Sequence, residues 1–203
     1  MNRTVRAAAL SAAAWAALTG LTGCRGGESA SQAPQPAPTA VASIAATPSP
    51  AAAPAVRRVG MPSRVVIPAI GVDEALYGIG LEPDGAMETP DFGDAGWYDL
   101  GPRPGAPGPA VIVAHVHGPA GDDVFAELDA LEPGDRVTVQ DTKGSSTFVV
   151  DSVEQVKKES LPHKRIWADT EQPVLRLITC GGEPDPVTRM YPDNTIVYAH
   201  LAS

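Results

Sequence analysis

A single thiol stands at the end of an apolar run, in a setting that suits a nucleophile. Cys180 closes the run that begins at Val174, and Gly181 and Gly182 follow it directly. A thiol at the exit of a strand, beside a flexible turn, is accessible to a substrate, whereas a cysteine inside a core is inert. Arg189 comes nine residues after the thiol, across a loop of turn-forming residues. A guanidinium that returns toward the thiol could hydrogen-bond a peptide or the oxyanion of a tetrahedral intermediate.

Histidine is a common base for a cysteine nucleophile, and the chain has four. His115 ends the apolar run 110–114 and therefore has the same strand-exit setting as Cys180. His117 would share the face of His115 if the strand continued, but the Gly-Pro pair after it indicates that the strand has ended. We expect His163, which follows a proline, and His200, near the C-terminus, to be ordinary surface residues.

Alternation along the segment 174–180 separates two faces of a strand. One face reads Leu175, Leu177, Thr179 and the other reads Arg176, Ile178, Cys180. The first is typical of a core face, so we expect the thiol to point toward a groove outside the sheet. A strand buried on both faces would instead make the cysteine a packing residue.

Two other chemistries use the same residues. His115, His117 and Cys180 could together bind a metal ion, but a fourth ligand and the close cysteine pair of structural zinc sites are missing. A papain-like protease does not fit, because its cysteine begins a helix and precedes its histidine in the chain. We therefore expect neither a metal nor another cofactor.

The composition indicates one domain with a long polar tail. The 203 residues include 21 prolines and 20 glycines, and aromatic residues make up 5%. The formal net charge is -9, and no cluster of lysine and arginine is visible. Nucleic-acid binding normally needs a clustered basic face, so that function is excluded.

The first 24 residues are typical of an export signal. Arg3 and Arg6 precede an apolar stretch over residues 7–18, and Leu21-Thr22-Gly23-Cys24 places small residues at a cleavage point. The last four residues resemble a bacterial lipobox, in which Cys24 would be acylated and become the new N-terminus. An uncleaved membrane anchor and an ordinary cleaved signal peptide are the alternatives. All three predict an extracytoplasmic domain held at, or released from, the outer face of the membrane, and none leaves Cys24 as a disulfide partner for the distant thiol.

The rest of the chain divides into a linker and a folded domain. Residues 25–60 are rich in Ala, Pro, Ser and Thr without a helical or strand period, which predicts a disordered, extended linker. From residue 61 to 203, short Val- and Ile-rich runs alternate with turn residues, which predicts an all-β barrel or sandwich. The expected strands are 64–68, 72–77, 110–115, 136–141, 147–156, 174–180 and 194–201, with one short helix over 122–131.

The folded segment resembles bacterial sortases, specifically the actinobacterial class E/F type. The stretches that match, in order, are Val66-Ile67-Pro68-Ala69-Ile70-Gly71-Val72, Gly96-Trp97-Tyr98, Pro109-Ala110-Val111-Ile112-Val113-Ala114-His115-Val116, Val124-Phe125-Ala126-Glu127-Leu128, Leu175-Arg176-Leu177-Ile178-Thr179-Cys180-Gly181-Gly182 and Tyr191-Pro192-Asp193-Asn194-Thr195-Ile196-Val197-Tyr198-Ala199. The Thr-Cys ending with an arginine nine residues later is the most specific of them. One departure is Ala114, where the family often has glycine.

The resemblance implies an eight-stranded β-barrel with one or two short helices and a catalytic triad of His115, Cys180 and Arg189. It also implies a cysteine transpeptidase that cleaves a Leu-Pro-x-Thr-Gly-like sorting motif through a thioester and joins it to an amine, anchoring surface proteins to the cell wall. The expected partners are therefore the sorting-motif peptide, an amine acceptor such as a cell-wall precursor, and the membrane; we expect a monomer. The segment 157–167 is expected to help select the motif. A lipid-anchored binding module on the same barrel, without turnover, is the alternative.

Overall fold

Short, Val-rich strands are the main regular structure in the part of the chain that the computed structural model describes, residues 57–203. Their bounds are β1 Pro62–Ile67, β2 Val72–Ile79, β3 Ala95–Tyr98, β4 Gly108–Ala114, β5 His117–Gly118, β6 Gly121–Asp122, β7 Arg136–Asp141, β8 Gly144–Lys157, β9 Pro173–Gly181 and β10 Asp193–Leu201. A five-residue helix, α1, covers His163–Trp167, and 3-10 turns cover Pro68–Ile70, Leu128–Ala130 and Lys158–Ser160. The export signal and nearly all of the linker that the sequence predicts lie outside the described residues. No helix within 57–203 is long and apolar enough to cross a membrane.

Eight of the strands close into a barrel, which confirms the predicted fold class. The order around the barrel is β1-β2-β3-β4-β9-β10-β8-β7, and β7 pairs with β1 to close the ring. The pairs β2–β3 and β4–β9 are parallel, and the other neighbours are antiparallel. β5 and β6 form a separate two-stranded hairpin after β4. Since every barrel strand has two neighbours, the barrel itself has no unpaired strand edge.

Inward-facing apolar side chains fill the barrel. Leu175 and Leu177 of β9 are fully buried beside Ile112 of β4 and Phe148 of β8. Thr179, the third residue of the predicted core face, is 5% exposed, whereas its outward neighbours Arg176, Ile178 and Cys180 are partly exposed. The predicted division of this strand into a core face and an outer face is therefore confirmed.

A second apolar cluster covers part of the outer face of the same sheet. Val111 of β4 and the β10 residues Ile196 and Tyr198 are buried beneath Ile166 of α1, with Leu161 packed alongside. The segment between β8 and β9 is thus folded down onto the barrel by its own apolar residues. It leaves the ends of β4 and β9 at the margin of the covered area.

The predicted helix over 122–131 is wrong in extent. Only Leu128–Ala130 forms a 3-10 turn, although Phe125, Leu128 and Leu131 are buried as a helical face would be. The amide of Phe125 donates to the carbonyl of His115, and that of Asp123 donates to the carbonyl of Val116. The segment begins inside β6, where Asp122 pairs with His117, and its next residues bond to the chain that leaves β4, so its first half is part of the β5–β6 hairpin region and not of a helix.

Two further differences concern element bounds. β3 was absent from the expected strands; it has four residues and contains a glycine, so it carries little strand signal. β4 ends at Ala114, so His115 lies one residue beyond the strand and not inside it. The segment 157–167, expected as a loop, contains a 3-10 turn and α1.

Candidate active site

The parallel pairing of β4 and β9 brings His115 and Cys180 to the same end of the barrel. Val113 pairs with Ile178, and continuing that register by two residues places His115 next to Cys180. Both strands run in the same direction, so both residues lie at the carboxyl end of their strands and on the outer face. No hydrogen bond joins the two side chains within the described residues. The structure thus brings them together as neighbours without direct contact between the thiol and the imidazole.

A buried hydrogen bond holds these two strand ends in register. The hydroxyl of Thr179 donates to the backbone carbonyl of Ala114 over 2.7 Å. Because this bond lies one residue before the thiol and one before the histidine, it fixes the separation of the two backbones at the site. The bond also supplies a donor to a buried carbonyl at the last residue of β4.

Steric constraints explain why two glycines follow the thiol. A Cβ on Gly181 would lie 2.6 Å from the hydroxyl oxygen of Thr195, so β9 and β10 approach too closely there for a side chain. Gly182 has a φ of 81°, in the left-handed region that favours glycine. The Gly-Gly pair therefore turns the chain sharply immediately after the thiol.

Cys180 is a free thiol that is partly exposed. Its Sγ accepts a hydrogen bond from the Nζ of Lys158, at 3.5 Å. A small cavity of about 70 Å³ lies beside it and is lined by Val116, Phe125, Asp129, Thr179 and Tyr191, among others. The sequence analysis did not identify Lys158; the signal that was available is its position directly after β8, two residues beyond the outward-facing Val156.

His115 is held by the segment between β2 and β3. Its Nε2 lies 2.9 Å from the backbone carbonyl of Pro90, and its ring stacks on Phe92 with centroids 4.4 Å apart. A carbonyl can only accept, so Nε2 carries a hydrogen and Nδ1 is the nitrogen left free when the ring is neutral. Phe92 remains 56% exposed, so its ring lies between the imidazole of His115 and the solvent.

Three hydrogen bonds anchor the segment that holds the histidine. The amide of Asp91 donates to the hydroxyl of Tyr77 over 2.9 Å, and the amide of Gly93 donates to the carboxylate of Asp123 over 3.0 Å. The amide of Asp94 closes a turn onto the carbonyl of Asp91. Pattern reasoning did not find this role because the segment has no strand or helix period; its signal was the Pro-Asp-Phe-Gly turn with an aromatic residue inside it.

Arg189 lies in the loop between β9 and β10 and is exposed. Its φ of 60° is the only positive value at a non-glycine residue in the described part of the chain. Its amide donates to the carbonyl of Asp185, but its side chain makes no hydrogen bond or ion pair within residues 57–203. The antiparallel return that the sequence predicts is confirmed, whereas no hydrogen bond joins the guanidinium to the thiol within the described residues.

The β9–β10 loop is organised around Asp185. Its carboxylate accepts the amides of Thr188 and Val187, and these bonds hold the pKa of the carboxyl below its usual range. The left-handed conformation of Arg189 follows directly after this turn. A non-glycine residue held in that region often marks a functional position.

The other three histidines lie away from the thiol. His117 is on the β5–β6 hairpin, 3.8 Å from the carboxylate of Asp122. His163 begins α1, and His200 pairs with Asp151 at 2.6 Å on the surface of the barrel. Among the described residues, no group of three or more His, Cys, Asp or Glu is placed to bind a metal ion.

A cation–aromatic cluster fixes α1 on the outer face. The guanidinium of Arg165 lies 3.9 Å from the ring centre of Tyr198, and that of Arg176 lies 4.8 Å from it. Arg165 also pairs with Glu154, and this hydrogen bond raises the pKa of the arginine. Burial lowers the pKa of Arg176 and raises that of Tyr198. These contacts join α1 to β8 and β10 and so set the position of the segment that borders the thiol.

A closed eight-stranded barrel, with a cysteine and a histidine at the ends of two parallel neighbours, defines the class of fold to which this chain belongs. The family model of the sortase domain matches residues 65–202. The chain belongs to the sortase family, whose members are known as cysteine transpeptidases. No curated protein sequence matches it significantly.

Solved sortase structures share the fold at low identity. Sortase A from Corynebacterium diphtheriae superposes with a TM-score of 0.54 at 17% identity, covering 72% of this chain and 62% of that one. Group B Streptococcus Pilus Island 1 sortase C2 has a TM-score of 0.53 at 20% identity, covering 70% and 73%. Sortase C1 from Streptococcus agalactiae has a TM-score of 0.53 at 22% identity, covering 70% and 67%. The chain thus spans less than two thirds of the first of these structures, and identities this low show the fold alone.

Proposed function

We propose that this chain is a sortase-type cysteine transpeptidase of the actinobacterial class E/F kind, with Cys180 as its nucleophile. The observation that supports this best is the register of β4 and β9. It places His115 beside a partly exposed thiol at the ends of two parallel strands. The turn after the thiol and the buried Thr179 bond keep this arrangement rigid.

In the proposed reaction, the thiolate of Cys180 attacks the carbonyl of the scissile peptide bond. The carbon–nitrogen bond breaks, a thioester forms, and His115 gives a proton to the leaving amine. An incoming amine then attacks the thioester, His115 takes up its proton, and the thiolate is regenerated. Arg189 orients the peptide and balances the charge on the oxyanion. For this, its side chain must turn toward the thiol when a peptide is bound.

The proposed substrate is a Leu-Pro-x-Thr-Gly-like sorting motif, and the proposed acceptor is an amine such as a cell-wall precursor. The lipobox-like residues before Cys24 support acylation of that cysteine and a location at the outer face of the membrane. The Ala- and Pro-rich residues 25–60 support a tether of on the order of 100 Å, since polyproline structure rises about 3 Å per residue. That reach suits an enzyme that anchors surface proteins within the cell wall.

The first prediction concerns the nucleophile and the histidine. We incubate the protein with a library of sorting-motif peptides and hydroxylamine, and follow hydroxamate products by mass spectrometry. The wild type should release them, Cys180→Ala should release none, and His115→Ala should lose nearly all activity because the proton donor is gone. His117→Ala is the matched control and should keep most activity; a dead His117→Ala protein would contradict the histidine assignment.

A non-catalytic binding module on the same barrel is the second candidate. The observations that favour it are the carbonyl of Pro90 on the imidazole and the lack, within residues 57–203, of a hydrogen bond from the side chain of Arg189 to the thiol. It predicts that wild-type protein with an intact thiol binds a peptide without cleaving it. The hydroxylamine experiment separates the two candidates directly.

A further inference from the structure

Among residues 57–203, Lys158 is the cation that hydrogen-bonds the proposed nucleophile. Its Nζ lies 3.5 Å from the Sγ of Cys180, within hydrogen-bonding distance for sulfur. The side chain of Arg189 makes no hydrogen bond in the described part of the chain. The positive charge beside the thiol therefore comes from the end of β8 and not from the loop after β9.

Sheet geometry explains why this lysine reaches the thiol. Cys180 pairs with Asn194 of β10, and Asn194 pairs with Val156 of β8, so the three lie in one row across the sheet. Val156 packs in the outer cluster, which shows that this row faces outward. Lys158 is the first residue after β8 and follows Val156 by two positions, and the contact of its Nζ with Cys180 shows that its side chain lies on the same outer face. Lys157, the last residue of the strand, points to the other face.

Backbone contacts keep Lys158 in place. Its amide donates to the carbonyl of Pro192 over 3.1 Å, and the preceding residue pairs with Asp193. Asp193 pairs on its other side with Gly181, directly after the thiol. The backbone of Lys158 is thus one strand away from β9, a distance that a lysine side chain spans.

We propose that Lys158 stabilises the thiolate of Cys180 in the free enzyme, and so acts as a further catalytic residue of this site. The proton of the thiol goes to solvent, and the ammonium of Lys158 donates its hydrogen bond to the sulfur anion. A hydrogen bond to an ionised acceptor is stronger than one to a neutral acceptor, so the contact favours the thiolate. This inference deepens the proposed function, and it depends on Cys180 being the nucleophile.

Each element next to Cys180 also contributes ionisable groups at this end of the barrel. They are His115 beyond β4, Asp129 beside the cavity, Asp193 of β10, and Glu183, Asp185 and Arg189 in the loop after β9. The carboxylate of Asp193 accepts a hydrogen bond from Gln155, and that of Asp185 accepts amides of its own loop. Of these groups, none hydrogen-bonds the sulfur within residues 57–203, which leaves Lys158 as its partner.

The test is the rate at which iodoacetamide alkylates Cys180 as a function of pH. The reagent is uncharged and needs no peptide substrate. Mass spectrometry of the Cys180 peptide separates this reaction from any at Cys24. In Lys158→Gln we expect the rate at pH 7 to fall about two- to fivefold, the range for an exposed ion pair. The midpoint of the rate profile should rise by about half a pH unit, and the rates should converge at high pH, where every molecule carries a thiolate.

Two matched variants and salt complete the experiment. Lys158→Arg should keep the wild-type profile, because it retains a cation, and Lys157→Gln should also keep it, because that lysine lies on the other face. The difference between wild type and Lys158→Gln should shrink in 1 M salt, where the screening length is about 3 Å. A wild-type midpoint in Lys158→Gln, or an equal shift in Lys157→Gln, overturns the inference.

The outcome is separable from that of the proposed function. If peptides are cleaved but the midpoint does not move in Lys158→Gln, only the role of Lys158 fails. If the midpoint moves but no peptide gives a hydroxamate, the proposed reaction fails and the lysine–thiolate contact stands. In an active enzyme, Lys158→Gln should form hydroxamate more slowly than the wild type at pH 7, and this difference should disappear at high pH. A purely structural role for the lysine would give a difference that does not depend on pH.

Discussion

Cys180 and its neighbours show how much a site depends on single backbone and side-chain contacts. Thr179 joins β9 to β4, Lys158 contacts the sulfur, and the carbonyl of Pro90 selects the protonated nitrogen of His115. Each partner comes from a different strand or loop. The reactive groups are therefore held by three independent elements and not by one continuous motif.

The second prediction, at this scale, concerns Thr179→Val. The substitution keeps the shape of the side chain but removes the hydroxyl that donates to the buried carbonyl of Ala114. We expect the free energy of unfolding to fall by about 1–3 kcal/mol, measured by urea denaturation. Thr179→Ser retains the hydroxyl and is the control; an equal loss in both variants would mean that the methyl group and not the hydrogen bond matters.

At the scale of elements, the segment between β2 and β3 has an unexpected function as the support of His115. It has no regular secondary structure around Pro90 and Phe92, yet its amides bond to Tyr77 and Asp123 from opposite sides. Its position thus depends on the end of β2 and on the chain after β6. A change in either element should therefore alter the position of the imidazole of His115.

The third prediction tests this support through Tyr77→Phe. The loss of one hydroxyl removes the partner of the Asp91 amide, so hydrogen exchange at that amide should become faster, and His115-dependent peptide cleavage should fall several-fold. Tyr98→Phe is the matched control, because its ring packs on Trp167 and its hydroxyl makes no hydrogen bond within residues 57–203. Unchanged exchange at Asp91 in Tyr77→Phe would contradict this account.

The elements also show what could be predicted from the sequence and what could not. Alternation in β9 correctly separated Leu175 and Leu177 from Cys180, because a strand with one buried face leaves a period of two. β3 was missed because its Ala-Gly-Trp-Tyr sequence is short and buried mostly by tertiary contacts. The helix over 122–131 was wrong because the start of the segment pairs with the chain leaving β4 in the β5–β6 hairpin, and no local pattern reports such a partner.

The residues of the candidate site likewise divide into those that the sequence predicted and those that it did not. His115 and Cys180 were predicted because each ends an apolar run, and the parallel register then places them side by side. Lys158 was not predicted, since its contact depends on three strands being neighbours in the order β9-β10-β8. The roles of His115, Cys180 and Arg189 stay predictions until the peptide experiment is done.

At the scale of the whole molecule, the first described residues are bound at the end of the barrel away from Cys180, at the turn between β7 and β8. The carboxylate of Asp141 at the end of β7 is 2% exposed and accepts bonds from Arg57 and from the amides of Gly60 and Lys143. Burial alone would raise the pKa of this carboxyl, but these hydrogen bonds outweigh it and the pKa is lowered. The residues that precede β1 are thereby joined to the β7–β8 turn.

The fourth prediction concerns this carboxylate and pH. A folded-state pKa below the unfolded value of about 3.9 gives stability that is complete well above pH 4 and is lost as the pH falls through the folded pKa. Asp141→Asn should therefore lower the free energy of unfolding by about 1–3 kcal/mol at pH 7, with a smaller difference from wild type at pH 3. Asp73→Asn, at an exposed ion pair with Arg64, should change it little. A pH-independent loss in Asp141→Asn would contradict the electrostatic origin.

The buried bond between Thr179 and Ala114 joins positions 65 residues apart in the chain. Contacts of such long sequence separation require closure of a large loop, which makes them slow to form. The histidine and the thiol therefore meet only when the six barrel strands that precede β9 in the chain have been synthesised and β9 has paired with β4. A chain that has not finished folding holds an isolated cysteine without its partners, so the timing of reactivity is built into the topology of the barrel.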